Sequence, residues 1–396
     1  MSGSADLGVA RASSAERARG ERHIVTCEYP PQVGGVADYT AALARELARR
    51  GEHVHVWTAS AEGSRPADAG IQVHETGRYS GRDLRHVDRA LGECPGPRRL
   101  FVQWVPHGYG YRSMNVAFCR WVHRRASVHG DVVDLMIHEP FLSFDLARPR
   151  QSGAAAVHRV MLAMLCAAAR HVWTSTESYA PLVRPYGFGR DLGYRWLPIA
   201  SPIARADDPA AGGRIRAALN GSGTIVGHFG TYNALVAPAL RQVLRDLLRA
   251  APGTRALLLG RGATAFAARL AADEPGLEGR LVAPGVLPAE LLSLYLQACD
   301  VFVQPYPDGV SSRRTTMLAL LDHGKAAVTT LGERTEWWWQ PSGAVRLARE
   351  PRDLPAAVLA LLTDPEARRR CEAGAAALYR ARFGIARAAD LLLAVD

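Results

Sequence analysis

Residues 298–324 read ACDVFVQPYPDGVSSRRTTMLALLDHG. Val301-Phe302-Val303 is a short apolar run of the kind that forms a strand buried on both faces of a parallel sheet. Met317 to Leu321 is apolar at helical length and is closed by Gly324, which predicts a helix. Between them a Pro/Asp/Gly turn leads to Ser311, Ser312, Arg313, Arg314 and Thr315 at the expected helix N-terminus. That end of a helix offers unpaired N–H groups and the positive end of the dipole, so it suits an anion. Hydroxyls and guanidinium groups beside it point to phosphate. An ordinary strand–turn–helix, with a serine cap and solvated arginines, fits the same letters.

Working outward, the same alternation recurs along the chain. Strands are expected at His23–Cys27, Val54–Trp57, Leu100–Trp104, Val133–Ile137 and His171–Thr174. The helices between them are expected near 37–50, 115–125 and 153–169. Around 198–223 the sequence turns to SPIARADDPAAGG, poor in apolar residues, which reads as a linker with a short helix. The alternation then restarts. Strands are expected at Thr224–Phe229, Arg255–Leu259, Leu281–Val282, Val301–Val303, Ala326–Thr329 and Val345–Leu347, with helices between them and two more at 354–362 and 365–383. Alternating strands and helices mean a parallel sheet covered by helices. The expected domains are a disordered leader at 1–21, an amino-terminal Rossmann-like domain at 22–198, a linker at 199–222 and a second Rossmann-like domain at 223–375. A helix at 376–396 is expected to pack back on the first domain. Ligands of such sheets sit beyond the carboxyl ends of the strands. The loops after Cys27, Ile137, Phe229, Leu259 and Val303 are therefore expected to line a cleft.

Composition limits the functions open to this fold. The chain has 396 residues, 48% of them hydrophobic, enough for two buried cores, and a net charge of +10. That charge suits an anionic ligand or an anionic membrane surface. Nucleic acid is not expected, because there is no basic block, no zinc-finger spacing and no RNA-binding aromatic signature. The six cysteines, at 27, 94, 119, 166, 299 and 371, form no C-x-x-C pair. This argues for a reducing cytoplasm and against a structural zinc or a disulfide framework. The longest apolar stretch, Val160 to Ala169, is too short to span a bilayer. The leader lacks the apolar segment of a signal peptide.

Six segments, taken in order, carry a resemblance: YPPQVGGVADYTAALARELARRGEHVHVWT at 29–58, LMIHEPF at 135–141, WTSTESYAPLVRPYG at 173–187, IVGHFG at 225–230, LLLGRG at 257–262 and ACDVFVQPYPDG at 298–309. The set resembles the retaining glycosyltransferases of GT-B fold, family 4, over roughly residues 22–385. The resemblance implies an α/β protein of two Rossmann-like, doubly wound domains facing a central cleft. It implies transfer of a sugar from a nucleotide-diphosphate sugar to a hydroxyl acceptor, with retention and without metal or other cofactor. By the same resemblance Gly34 and Gly35 lie near the donor phosphates, and His138 sits beneath the reacting sugar. Gly230, Thr231 and Arg261 approach the diphosphate, and Ser311, Ser312, Arg313, Arg314 and Thr315 receive it.

Two departures stand out. Where the family usually carries two glutamates eight residues apart, this chain has Ser311 and Ala319. Where it usually carries Arg and Lys after the glycine, this chain has Thr231-Tyr232-Asn233. Arg313 and Arg314 are expected to replace the lost positive charge, and Asp308 a lost carboxylate contact.

The chemistry needs no metal if the departing diphosphate is neutralised by helix ends and cations. The only paired aspartates, Asp207-Asp208, fall in the linker. His107, Tyr109 and Tyr111, in PHGYGY, are candidates to line the acceptor site, and a plain surface loop fits them as well. The basic and aromatic run 118–125 reads as a solvated helix face with Phe118 and Val122 in the core. Contact with anionic lipid at the inner membrane face is the alternative. Trp337-Trp338-Trp339 fits stacking on a base or sugar, or packing of the protein on itself. Rival readings are a nucleotide-sugar epimerase, a phosphorylase and a non-catalytic glycosyltransferase-like subunit. The phosphorylase often needs a cofactor-binding lysine, and Lys325 is the chain's one lysine. A dehydrogenase is disfavoured, because no G-x-G-x-x-G follows the first strand.

Overall fold

The computed structural model describes residues 21–32, 34–59, 68–110, 113–145 and 147–395. Apart from position 21, the expected leader lies outside them. The chain divides between Leu197 and Pro198 into two compact units.

The first unit holds one parallel sheet in the order β3-β2-β1-β4-β5-β6-β7. Its central strands are β1 (Glu21–Thr26), β2 (His53–Thr58), β4 (Arg99–Trp104), β5 (Val132–Ile137) and β6 (His171–Thr174). β1, β4, β5 and β6 are buried along almost their whole length, as strands covered on both faces must be, and β2 along its second half. The edge strands β3 (Ile71–Glu75) and β7 (Arg195–Trp196) were not expected from sequence. The helices are α1 (Gly35–Arg49), α2 (Gly81–Gly92), α3 (Val116–His129) and α4 (Pro149–Ala168). Helix α2 was also unexpected. Its start is fixed by Ser80, whose hydroxyl and backbone N–H exchange hydrogen bonds with Asp83 in a capping box. On α3, Phe118, Trp121 and Val122 turn inward, and Trp121 Nε1 donates to Asp88 at 2.7 Å. Its aromatic residues therefore belong to the core, as the solvated-face reading expects.

The second unit holds a parallel sheet in the order β10-β9-β8-β11-β12-β13. The strands are β8 (Thr224–Phe229), β9 (Thr254–Leu259), β10 (Leu281–Val282), β11 (Val301–Gln304), β12 (Ala326–Thr330) and β13 (Arg346–Ala348). Around it lie α5 (Pro209–Asn220), α6 (Ala237–Ala250), α7 (Ala263–Asp273), α8 (Ala289–Ala298), α9 (Thr315–Asp322), α10 (Leu354–Thr363), α11 (Pro365–Arg382) and α12 (Ile385–Leu393). Gly227 in β8 makes room for the Phe302 ring of β11. A Cβ there would stand 2.3 Å from Phe302 Cε1. Full burial of that phenylalanine contributes roughly 2–3 kcal/mol. Among the described residues no helix is long and apolar enough to cross a membrane.

Asp322 closes α9 and meets the hydroxyls of Tyr379 and Ser201. Burial raises its pKa from 3.8 to about 6. A carboxyl whose pKa rises on folding favours the folded state below its unfolded pKa, and that benefit is lost as pH climbs through about 6. Asp322→Asn keeps an acceptor and removes the charge. It should stabilise the protein at pH 7.5 by about 1 kcal/mol, allowing for partial exposure, with the gain vanishing below pH ~4. Thermal denaturation of both proteins across that range checks this.

Candidate functional site

In the second sheet β8 pairs with β9 on one side and β11 on the other. The chain leaves β8 toward β9 and leaves β11 toward β12, so the two loops part above the seam. This is the switch point where open α/β sheets bind ligands. A pocket of ≈ 200 Å³ opens there, lined by His228, Gly230, Thr231, Asn233, Val236, Tyr306, Arg313, Arg314, Thr315 and Thr316. Among the described residues, that lining contains two guanidinium groups and no carboxylate.

Two helices begin at the pocket. The turn leading into helix α6 is tied by Asn233, whose Oδ1 accepts from the N–H groups of Leu235 and Val236 at 3.0 and 3.1 Å. Helix α9 begins at Thr315 with no side-chain cap and no acidic residue in its first turn. The Thr315 N–H donates to Arg313 O at 3.0 Å, while the N–H groups of Thr316 and Met317 have no carbonyl one turn back, which leaves them to an anion. Thr316 Oγ1 lies 3.0 Å from the Tyr306 hydroxyl. The Arg314 guanidinium sits 4.6 Å above the centre of the Tyr306 ring.

Several expected roles change here. Ser312 does not line the pocket. Its N–H and hydroxyl donate to the buried carboxylate of Glu336 at 3.1 and 2.5 Å, and Trp339 Nε1 donates to the same group at 2.9 Å. Ser311 is buried as well, and the helix starts four residues after it. Asp308 was expected to supply a carboxylate contact to the ligand, and here it lies outside the pocket lining. It pairs with Arg314 and, at 3.3 Å, with Arg334, and so orients Arg314. Arg261 is exposed and outside the pocket lining. Gly230 and Thr231 do line it. Gly230 is held by its N–H bond to Leu259 O at 3.1 Å, and its carbonyl would lie 2.2 Å from a Cβ on Gly260, a residue with φ +109°. Trp338 and Trp339 pack on Phe383 of the same unit, and Trp337 is exposed.

His228 was not foreseen as a site residue. Its one sequence signal is a titratable ring in the apolar strand just before Gly230. It is 1% exposed, and its Nδ1 lies 2.9 Å from Val303 O. A carbonyl accepts only, so Nδ1 carries the proton and Nε2 presents a lone pair. Burial lowers its pKa to about 4.

The first unit treats its own switch point differently. Glu28 follows β1, and its Oε1 accepts from the N–H groups of Val36 and Ala37, both at 3.0 Å. A carboxylate of the chain thus occupies the N-terminus of α1. A Cβ on Gly34 would lie 2.2 Å from that oxygen, so the glycine makes room for Glu28 and not for a phosphate. Gly35 is exposed, with nothing within 4 Å of an added Cβ. His138 follows β5, buried against the edge of Tyr39 at 5.4 Å, and its Nε2 bonds Gln103 Oε1. Burial lowers its pKa to about 3, so the ring is neutral. His107 is half exposed, 3.3 Å from the Ser113 hydroxyl. Tyr109 corrects the acceptor expectation. It is wholly buried, stacks on Phe118 at 4.3 Å and donates to Gln103 O at 2.6 Å. Tyr111 lies outside the described residues.

One group has the composition of a metal site. His23, His55 and Cys94 bring three ligand atoms within 4.8 Å of one another. Trp57 Nε1 donates to His23 Nδ1 at 3.2 Å, so the proton of that neutral ring sits on Nε2. The tautomer withholds the lone pair a cation would take, and the group is best described as packing around Trp57.

Solved structures share this arrangement. Sucrose-phosphate synthase from Thermosynechococcus elongatus matches with a TM-score of 0.70 over 95% of this chain and 98% of its own, at 14% identity. HepE from Anabaena, in complex with UDP-glucose, matches with 0.62 over 95% and 98%, at 16% identity. A putative UDP-N-acetylglucosamine 2-epimerase from Listeria monocytogenes matches with 0.60 over 95% of both chains, at 13% identity. No family model and no curated protein matches the sequence. The fold is that of the GT-B glycosyltransferases, with two helix-covered parallel sheets.

Proposed function

We propose that the protein is a glycosyltransferase that binds a nucleotide-diphosphate sugar in the second unit and transfers the sugar to a hydroxyl acceptor with retention, without a metal. The observation that carries this reading is the pocket between the ends of β8 and β11. It combines an uncapped helix N-terminus, Arg313 and Arg314, and the hydroxyls of Thr231, Thr315 and Thr316.

Breaking the anomeric C–O bond builds positive charge on the sugar and leaves negative charge on the diphosphate. Fixed N–H dipoles and guanidinium groups stabilise that leaving group most in the transition state, where its charge is greatest. The departing phosphate oxygen can take the acceptor's proton, so the reaction needs no strong protein base. The epimerase reading is less favoured, because that chemistry requires carboxylates near the sugar and the pocket lining has none among the described residues.

Calorimetric titration with UDP, GDP, ADP and TDP, without and then with Mg²⁺, tests the proposal. Micromolar binding of one nucleotide that needs no Mg²⁺ is expected, falling at least tenfold in Arg313→Ala and in Gly230→Val. Absence of binding by all four would overturn it.

A further inference from the structure

We propose that His228 Nε2 is a specificity contact, a fixed hydrogen-bond acceptor at the floor of the pocket that takes an O–H donor of the bound nucleotide sugar. This rests on the reading of the pocket as a nucleotide-sugar site and adds what part of the ligand the pocket recognises.

Three observations carry it. The ring is locked, because Nδ1 is committed to Val303 O at 2.9 Å and Tyr232 meets the ring edge-to-face at 5.2 Å. Nε2 is buried without a hydrogen-bond partner among the described residues. His228 nevertheless lines the pocket, and Gly230, two residues on, leaves the space open; a Cβ there would sit 3.3 Å from Nε2. A buried polar atom without a partner is costly to the fold, and a ligand donor would recover that cost.

The chemistry of the contact follows from the tautomer. An imidazole whose Nδ1 proton points to a carbonyl can only accept at Nε2. Ionised phosphate oxygens are also acceptors only, so Nε2 repels them and leaves them to the helix end and the arginines. A hydroxyl is the group that fits. It can come from the ribose or from the transferred sugar, and either would be rejected as its deoxy analogue, because Nε2 would again be left unpaired.

Titrations of wild type, His228→Leu and His228→Gln with UDP, UDP-glucose, GDP and GDP-mannose test the inference, with melting curves as a check on folding. His228→Leu should bind about tenfold or more weakly. His228→Gln, which can turn an amide oxygen toward the pocket, should recover most of the loss. A loss confined to the nucleotide sugars assigns the hydroxyl to the sugar; an equal loss for the nucleotides assigns it to the ribose. Nitrogen-15 spectra of wild-type histidines give a readout that folding defects cannot mimic. The unprotonated Nε2 resonance of His228 should move on saturation with the ligand that binds. If wild type binds a nucleotide while His228→Leu binds equally well and the resonance stays still, the inference is overturned. If wild type binds none of the four, the reading of the pocket fails first.

Discussion

Gly260→Ala should abolish nucleotide binding and lower the unfolding free energy by about 3 kcal/mol. The position has φ +109°, a conformation costly for any residue with a Cβ, and the added carbon would stand 2.2 Å from the Gly230 carbonyl oxygen. The obstructing atom is backbone, so no side-chain rotation relieves it. Relief requires moving Gly230, which carries one wall of the pocket. Stability and binding should therefore fall together. Gly253→Ala is the control. Nothing lies within 4 Å of its added Cβ, so its stability should stay within about 0.5 kcal/mol of wild type with binding unchanged. Urea denaturation and nucleotide titration of both variants check the pair. A Gly260→Ala protein that binds normally would mean the two loops do not depend on this contact.

Acidification should unfold the protein steeply, with the transition centred near pH ~5. His23 and His138 have their pKa lowered to about 3, and His228 and His323 to about 4, in each case chiefly by burial. A histidine with a depressed folded pKa favours the folded state above its unfolded value of 6.5, and that benefit is lost as pH falls toward the folded value. His74 is also lowered to about 4 by burial, so between those limits the unfolded chain takes up five more protons at these histidines than the folded one. At about 1.4 kcal/mol per proton and pH unit, five histidines give a slope of about 7 kcal/mol per pH unit. A domain stability of about 5–15 kcal/mol would be consumed within a few units. Circular dichroism and melting temperature between pH 8 and 4 check this. A melting temperature that stays level from pH 6.5 to 5 would contradict it.

The parallel strands were legible because strands buried on both faces are written as unbroken apolar runs, as in Val301-Phe302-Val303 and Leu135-Met136-Ile137. The edge strand β3, Ile-Gln-Val-His-Glu, has no such run and is only partly buried. Helix α2 was hidden by its density of Arg and Asp, since three buried apolar residues, Leu84, Val87 and Leu91, are its whole inward face. At the site, Gly230, Thr231, Arg313, Arg314 and Thr315 were singled out from sequence, and the structure brings them to one pocket. The serines before them were misplaced for a tertiary reason. What Ser312 bonds is decided by Glu336, 24 residues away in the chain. Tyr109 looked like a loop aromatic, but its hydroxyl ties Val25 and Gln103 carbonyls on two neighbouring strands. Partners of that kind are set by the fold and leave no local pattern.

The carboxylate of Glu28 is a competitor that never diffuses away. It is joined to the amides it occupies by only eight residues, which gives it an effective concentration of millimolar or higher. A free anion arriving at α1 must outbid that local supply before it gains a single hydrogen bond, whereas an anion arriving at α9 meets no acidic side chain in the first turn. The two sheets share a plan but not an appetite. The difference is set by one short loop, and a single change at Glu28 would turn a saturated helix end into a vacant one.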